Sequence, residues 1–489
     1  MADVSNPSGA EPPAKSGGPI PTSDIEELST ASPKYHWFRG VFFQATVVGI
    51  AAFTAPGLWN AMNSVGAGGQ QTPFLVMAGN AVLFSLMTIT CLCGSIVSNR
   101  IGLKNTLILG TTGYVLYSAA LYTNNRYGVE WFIYVGSAAC GITAGLFWAA
   151  EGAIMLLYPE QHTRGKYLAY WLCYRNSGSI LGGIINLAFN ATGSRTGKLD
   201  WRTYIVFVVL QCLGPAAGFF LSPPEKVVRR NGTRIKLIKR ISDLEELKAL
   251  GRLVVRKELL LLTPLFIYIN WCLPYIGSYL SLYFSVRSRA LASLISSLAQ
   301  ITATLLMGTF LDWTRLSLNW RAKYAYSIMM ALIGGCWIWG VIIQREYGNK
   351  PPGLDWDDSG FGRGWALYIL WQMNWALTYN FGYWLIGFLA REAADTPRLT
   401  SYVRALESAG QCISSGISST QTPVDISLLM SCQSRVLTLI VCLGINFALW
   451  GLAIVPAFLV VRKVGVDYNG AKDNNEEREE ETENSTAKS

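Results

Sequence analysis

Twelve long apolar stretches, each near the length needed to cross a bilayer, constrain this chain more than any other feature of it. A helix rises about 1.5 Å per residue, so a hydrocarbon core of about 30 Å takes roughly 20 apolar residues. The stretches fall at about 38–62, 72–97, 106–123, 131–158, 167–190 and 202–221, then at about 259–285, 291–311, 324–344, 365–390, 400–420 and 435–461. Lipid offers the backbone no hydrogen-bond partner, so helices are the expected form. Charged residues make up 15% of the sequence, well below the about 25% of a soluble domain. The expected fold is an all-α integral membrane protein with twelve transmembrane helices in two six-helix bundles.

The net charge of +9 does not point to nucleic acid, because the basic residues lie between apolar stretches, where a bilayer places them. The block from Lys226 to Lys257 alone holds 11 Lys and Arg. An excess of cations on one set of loops marks the cytoplasmic side, so both termini are expected there. The same block divides the stretches six and six, the layout of a parallel-repeat transporter. The expected organisation is a Pro/Gly/Ser-rich disordered cytoplasmic tail at 1–36, a first six-helix bundle at 37–221, and a basic amphipathic cytoplasmic linker at 222–258. A second six-helix bundle at 259–462 and an acidic disordered tail at 463–489 follow. No basic-then-apolar leader with a cleavage site is seen. In the linker, Ile235, Ile238, Ile241, Leu244, Leu247 and Leu250 recur about every three residues with Lys236, Lys239, Arg240 and Lys248 between them. This pattern suits a helix lying on the inner leaflet.

A faint internal repeat agrees with the division: Arg175-Asn-Ser-Gly178 in the fifth span aligns with Glu407-Ser-Ala-Gly410 in the eleventh. Ionisable groups inside a membrane are costly and face the bundle interior or pair with one another. Glu151 and Arg175 lie in the fourth and fifth spans, each about 10–12 Å in from the cytoplasmic end. Their depths match across a hairpin, so an ion pair is expected, structural or proton-accepting in use. Arg404 and Glu407 sit three apart on one helix face and read either as a cytoplasmic gate or as a local surface pair. Pro56-Gly57 interrupts the first span, with Asn60 and Asn63 on one face beyond it. That reads either as an outer gate or substrate contact, or as a capped helix end. Asn190-Ala-Thr192 matches a glycosylation acceptor on the expected outer side.

Only two His occur, His36 and His162, and no phosphate-binding loop, metal cluster or nucleophile elbow is found. No cofactor, no metal and no catalytic residue are therefore expected, and the chain does not read as an enzyme.

Two motifs carry a family resemblance. Asn99-Arg100-x-Gly102-x-Lys104 resembles the loop 2–3 signature of the major facilitator superfamily, although Ser95 and Asn99 replace its usual Gly and Asp. Ala55-Pro56-Gly57-Leu58-Trp59-Asn60-Ala61-Met62-Asn63 and Gly145-Leu-Phe-Trp148-Ala-Ala-Glu151-Gly152, with Arg164-Gly165-Lys166 and Ser408-Ala-Gly410, resemble the fungal branch of the uncoordinated-ninety-three-like (UNC-93-like) subgroup over about 37–462. Glu151 stands where Gln is common. The resemblance implies that the first, fourth, seventh and tenth helices line a central cavity. It makes Asn270, Trp271 and Tyr275, and Trp371, Gln372, Asn374, Asn380 and Tyr383, cavity candidates. It also implies a gate at Asn99, Arg100 and Lys104. The expected function is a multi-pass secondary transporter that moves a small solute by alternating access, with the lipid bilayer, the solute and protons as partners. The alternative is a non-transporting regulator of a channel or receptor.

Overall fold

The computed structural model describes residues 37–70, 73–159, 164–191, 198–229, 243–313, 315–347, 352–391, 395–419 and 431–468. The N-terminal tail, nearly all of the acidic tail, and the repeat from Ile235 to Ile241 lie outside them.

The described residues form twelve long helices. In the first half these are α1 (Val41–Ser64), α2 (Pro73–Ile101), α3 (Leu103–Tyr127), α4 (Trp131–Leu157), α5 (Arg164–Asn190) and α6 (Trp201–Gly218). The second half holds α7 (Lys257–Tyr283), α8 (Val286–Leu311), α9 (Leu318–Tyr347), α10 (Phe361–Leu389), α11 (Asp395–Ser419) and α12 (Ser431–Val461). A short linker helix, Asp243–Val254, leads into α7. Among the described residues only isolated bridges interrupt the all-helical pattern.

Seven helices are apolar and long enough to cross a membrane by composition alone: those within α1, α2, α4, α7, α8, α9 and α12. The others carry more polar residues. α11 is the extreme case, with Asp395, Arg404, Glu407, Ser408, Gln411 and Ser414 turned inward and buried or nearly so.

Local chemistry sets the helix ends. Gly102 separates α2 from α3 with φ of 83°, a left-handed conformation open to Gly and costly for other residues. Asp200 caps α6 by accepting from the Arg202 amide, and Ser285 caps α8 by accepting from the Ser288 amide, each satisfying an orphan donor of a first turn. Inside α1 the run Phe53–Gly57 winds as a π-helical turn around Pro56. The helix continues through it to Ser64, so Pro56-Gly57 is an internal irregularity and Asn60 and Asn63 do not cap an end there.

Packing repeats between the halves. In the first, α1 packs on α5, α2 and α3 on α4, and α3 on α6; in the second, α7 packs on α11, α8 and α9 on α10, and α9 on α12. The halves meet through α2 against α11 and α5 against α8. Adding six to each helix number exchanges these two pairs, as a parallel repeat about one axis requires. The chain enters α1 and leaves α12 on one face, called here the terminal face; the α1–α2 and α7–α8 turns lie on the opposite, distal face.

Candidate functional site

At the distal face the halves are stitched together. Arg289 of α8 is 2% exposed, and its guanidinium donates to the carbonyl oxygens of Val65 at 2.8 Å, Gly66 at 3.1 Å and Gln70 at 3.2 Å. One turn further along α8, Ser293 Oγ donates to Ala61 O at 2.9 Å and lies 2.6 Å from Ser64 Oγ. Asn186 of α5 donates to the same Ser293 oxygen at 3.0 Å, and the Tyr368 hydroxyl of α10 donates to Ser64 O at 2.6 Å. Carbonyls freed where α1 ends are thus satisfied by side chains of the other half.

Nearer the terminal face, four helices from both halves bring together two carboxylates, two guanidinium groups and several rings. Trp148 and Glu151 come from α4, Arg175 from α5, Tyr379 and Tyr383 from α10, and Arg404 and Glu407 from α11. Arg404 Nη1 lies 3.0 Å from Glu407 Oε2, and Arg404 Nη2 donates to the Tyr379 hydroxyl at 2.5 Å. The Tyr383 hydroxyl donates to Glu407 Oε2 at 3.3 Å. The Arg404 guanidinium lies 4.1 Å from the centroid of Trp148 and that of Arg175 5.3 Å from it, so one indole ring serves cations from both halves. Arg175 also stands 5.6 Å from the Tyr379 ring. Cation–ring attraction of this kind is strongest where water is excluded.

The expected Glu151–Arg175 ion pair is not formed. Glu151 is 4% and Arg175 8% exposed, yet among the described residues neither has an ion-pair partner. Arg175 instead turns onto the rings of Trp148 and Tyr379. Both guanidinium groups lie within electrostatic reach of the Glu151 carboxylate.

The cavity candidates separate. Asn60 is half-buried, and its side chain makes no hydrogen bond among the described residues. The Trp371 indole nitrogen is buried without a hydrogen-bond partner among the described residues, and six others are hydrogen-bonded inside one half. Asn63 accepts from the Tyr117 hydroxyl of α3. Tyr275 donates to Gln344 of α9, Asn374 to Cys336 of α9, and Asn380 to Thr304 of α8. Gln372 lies between Gln300 of α8 and Tyr368, and Asn270 accepts from Trp375 of α10. A polar side chain in an apolar surround takes the nearest partner, and these residues link neighbouring helices of one half. Asn374 does border a small internal cavity with Tyr268, Trp337, Trp371, Trp375 and Thr378, but that space lies within the second half.

Of the expected gate, Lys104 donates to Phe219 O at 2.7 Å, bridging the α2–α3 turn to the end of α6, where a cation suits a helix C-terminus. Arg100 is exposed, and the side chain of Asn99 lies outside the described residues. Asn190, the expected glycosylation acceptor, is 2% exposed. Its Nδ2, the atom that would be modified, is buried and donates to Asn186 O at 2.7 Å and Thr203 Oγ1 at 3.2 Å, while Oδ1 accepts from the Asp200 amide. It ties α5 to α6.

Sequence reasoning missed Arg289, Trp148 and the α10 rings Trp375 and Tyr379. The α10 signal was available: Trp375, Tyr379 and Tyr383 recur every four residues, which puts them on one face, and their centroids lie 5.5 Å and 4.6 Å apart in turn.

Comparison with known proteins agrees with this architecture. The family described as ion channel regulatory protein UNC-93 matches residues 77–315. A notoamide biosynthesis cluster protein of Aspergillus versicolor is 40% identical over 448 residues, covering 91% of this chain and 94% of that protein. An UNC93-like protein of Schizosaccharomyces pombe is 29% identical, covering 80% of this chain and 82% of its own length. Among solved structures, a D-xylose–proton symporter superposes with a TM-score of 0.58 at 12% identity, covering 86% of this chain and 96% of that one. A POT family transporter in complex with 5-aminolevulinic acid gives 0.59 at 13% identity over the same shares. With a relative this similar over nearly its whole length, and two six-helix bundles superposing on transporters, the chain is a multi-pass membrane protein of the major facilitator fold and belongs to the UNC-93-like family.

Proposed function

We propose that the protein is a secondary transporter that moves a small organic solute by rocking its two halves about the α2–α11 and α5–α8 contacts, driven by an ion gradient. The observation that carries this reading is the buried charge and ring cluster at the interface of the halves, with the distal end sealed by Arg289. Buried charges are expensive, and a purely structural interface gains little from four of them. An interface that must come apart uses groups that exchange partners. In this reading both termini are cytoplasmic, the distal face is exterior or luminal, and the conformation is the one closed to that side. Protons are the proposed coupling ion, with Glu151 as acceptor. The rings of Trp148, Trp375, Tyr379 and Tyr383 suit an aromatic or amphipathic solute, and the biosynthesis cluster for which the A. versicolor relative is named supports an organic small molecule as cargo.

The test is reconstitution into liposomes with an imposed pH gradient and a panel of labelled aromatic solutes. Gradient-dependent flux supports the proposal; absence of flux for the whole panel, in vesicles where a reference symporter works, overturns it. A second reading, a non-transporting regulator of a channel, is favoured by the description of the matched family. It expects the purified protein to carry no flux and to retain a channel subunit through purification.

A further inference from the structure

Among the described residues, Arg175 is a buried cation left without a polar partner. It is buried, its Nε is buried with no hydrogen-bond acceptor, and it makes neither a hydrogen bond nor an ion pair among the described residues. A guanidinium has five donors and no acceptor, and buried polar groups are nearly always paired. Its only described contacts are the faces of Trp148 and Tyr379, which orient it and occupy none of its N–H groups. The ring stripe of α10 begins at Tyr379 and runs on through Tyr383.

The charges nearby can be counted. Arg404 is matched by Glu407 at 3.0 Å. That leaves Arg175 and Glu151 as the second opposite pair, close enough for Arg175 to act on Glu151 but not in contact with it. Arg175 acts on Glu407 as well. Among the described residues the phenols Tyr379 and Tyr383 of α10 and Tyr114 of α3, and the thiol Cys91 of α2, also face these charges.

Resting on the transporter reading, we propose that Arg175 is the anion subsite of the solute pathway and that the cargo is an aromatic carboxylate, held bidentately by Arg175 with its ring against Tyr379 and Trp148. A second consequence follows from charge. With Glu151 ionised the four groups sum to zero, and an added carboxylate would leave a buried net negative charge. One proton on a Glu151 oxygen restores neutrality. Arg175 is then balanced by Glu151 when the cargo is absent and by the cargo when Glu151 is protonated, so each anion is bound together with one proton. Planar carboxylate recognition favours Arg over Lys at this position.

The test is a binding measurement on the purified full-length protein in detergent, which needs no flux. Indole-3-acetate, phenylacetate and 4-hydroxybenzoate are titrated by calorimetry, beside indole-3-acetamide and tryptamine. The wild type is expected to bind at least one carboxylate at least tenfold more tightly than the amide or the amine. Affinity should fall about tenfold per pH unit once Glu151 ionises, the slope for one linked proton. Glu151→Gln should bind as tightly as the wild type at low pH and show no such slope. Arg175→Gln should lose the preference for the carboxylate, and Arg175→Lys should keep a reduced one. Equal binding of carboxylate and amide by the wild type, no binding by any of the three acids, or an unchanged pH slope in Glu151→Gln overturns the proposal. The Glu151 variant guards against misfolding of the Arg175 variants, because its effect is retained binding. Vesicles that carry cationic or neutral solutes with Arg175→Gln unimpaired would overturn this subsite and leave the transporter reading standing. Carboxylate binding without flux would do the reverse.

Discussion

Gly178 and Gly410 hold the same place in the two halves. A Cβ on Gly178 of α5 would stand 2.4 Å from the carbonyl oxygen of Phe53 in α1, and a Cβ on Gly410 of α11 would stand 2.4 Å from that of Ile267 in α7. Each glycine therefore lets a helix of the interface between the halves cross the first helix of its own half at backbone distance. Three residues before each lies a charged member of the central cluster, Arg175 in one half and Glu407 in the other.

Alanine at either glycine meets backbone, which cannot swing aside. Gly178→Ala and Gly410→Ala are each expected to destabilise the protein by about 1–3 kcal/mol, the usual cost of overpacking. The melting temperature in detergent would show this. Gly152, also in the family-like motif, faces open space: a Cβ there would meet nothing from a neighbouring helix within 4 Å. It serves as the control and should tolerate alanine. An unchanged melting temperature for both variants would remove the close crossing from the account.

The alignment of Arg175-Asn-Ser-Gly178 with Glu407-Ser-Ala-Gly410 was legible in the sequence because backbone proximity leaves few choices of residue. The helices were legible for a similar reason, since membrane thickness sets their length. What could not be read was the direction of each polar side chain. Tyr275 and Asn374 lie on helices expected to border a cleft, but their polar ends turn toward α9 inside the half. One sequence does not say which face of a helix meets which neighbour. The place of Glu151 and Arg175 along their helices was readable, whereas their lateral relation to Arg404 and Trp148 was not. Arg289 escaped notice because it falls just before the expected start of the eighth span at 291, where an arginine at the interface is ordinary.

Trp148 is expected to be more than a membrane-interface aromatic. Its ring receives Arg404 at 4.1 Å and Arg175 at 5.3 Å, and each such contact contributes about 0.5–2 kcal/mol. Trp148→Phe should keep part of both and Trp148→Leu neither. A graded loss of solute uptake in the order wild type, Phe, Leu, with protein levels at the membrane unchanged, is the expected outcome. Equal uptake by all three would assign the ring to packing alone.

Arg404 and Glu407 make a second test, because the pair does not stand by itself. Glu407→Gln leaves Arg404 buried without its counter-charge, a change that typically costs about 3–5 kcal/mol, so a strongly lowered melting temperature is expected. The exchange Arg404→Glu with Glu407→Arg should recover much of that stability by restoring an i,i+3 pair. It should not recover transport, because the cation then leaves the Trp148 face and the Tyr379 hydroxyl. Full recovery of uptake by the double exchange would show that the pair acts as a local helix-surface bridge.

The distal seal offers the most direct reading of conformational state. Ser64 of α1 and Ser293 of α8 belong to different halves, and their hydroxyl oxygens lie 2.6 Å apart. With cysteine at both positions, in a background with the other exposed thiols replaced, oxidation is expected to join them, since a disulfide needs Cβ atoms about 3.5–4.5 Å apart. The cross-link would hold the distal end shut and stop uptake, and a reductant would restore it. Arg289→Gln removes a charged donor from three carbonyls of the α1–α2 connection, each such bond contributing about 1.5–3 kcal/mol. Added to the cysteine pair, it should slow cross-linking by shifting the population toward the state open at that face. If Arg289→Gln left the cross-linking rate unchanged, Arg289 would be a local brace of the connection and the serine and tyrosine bonds would carry the seal.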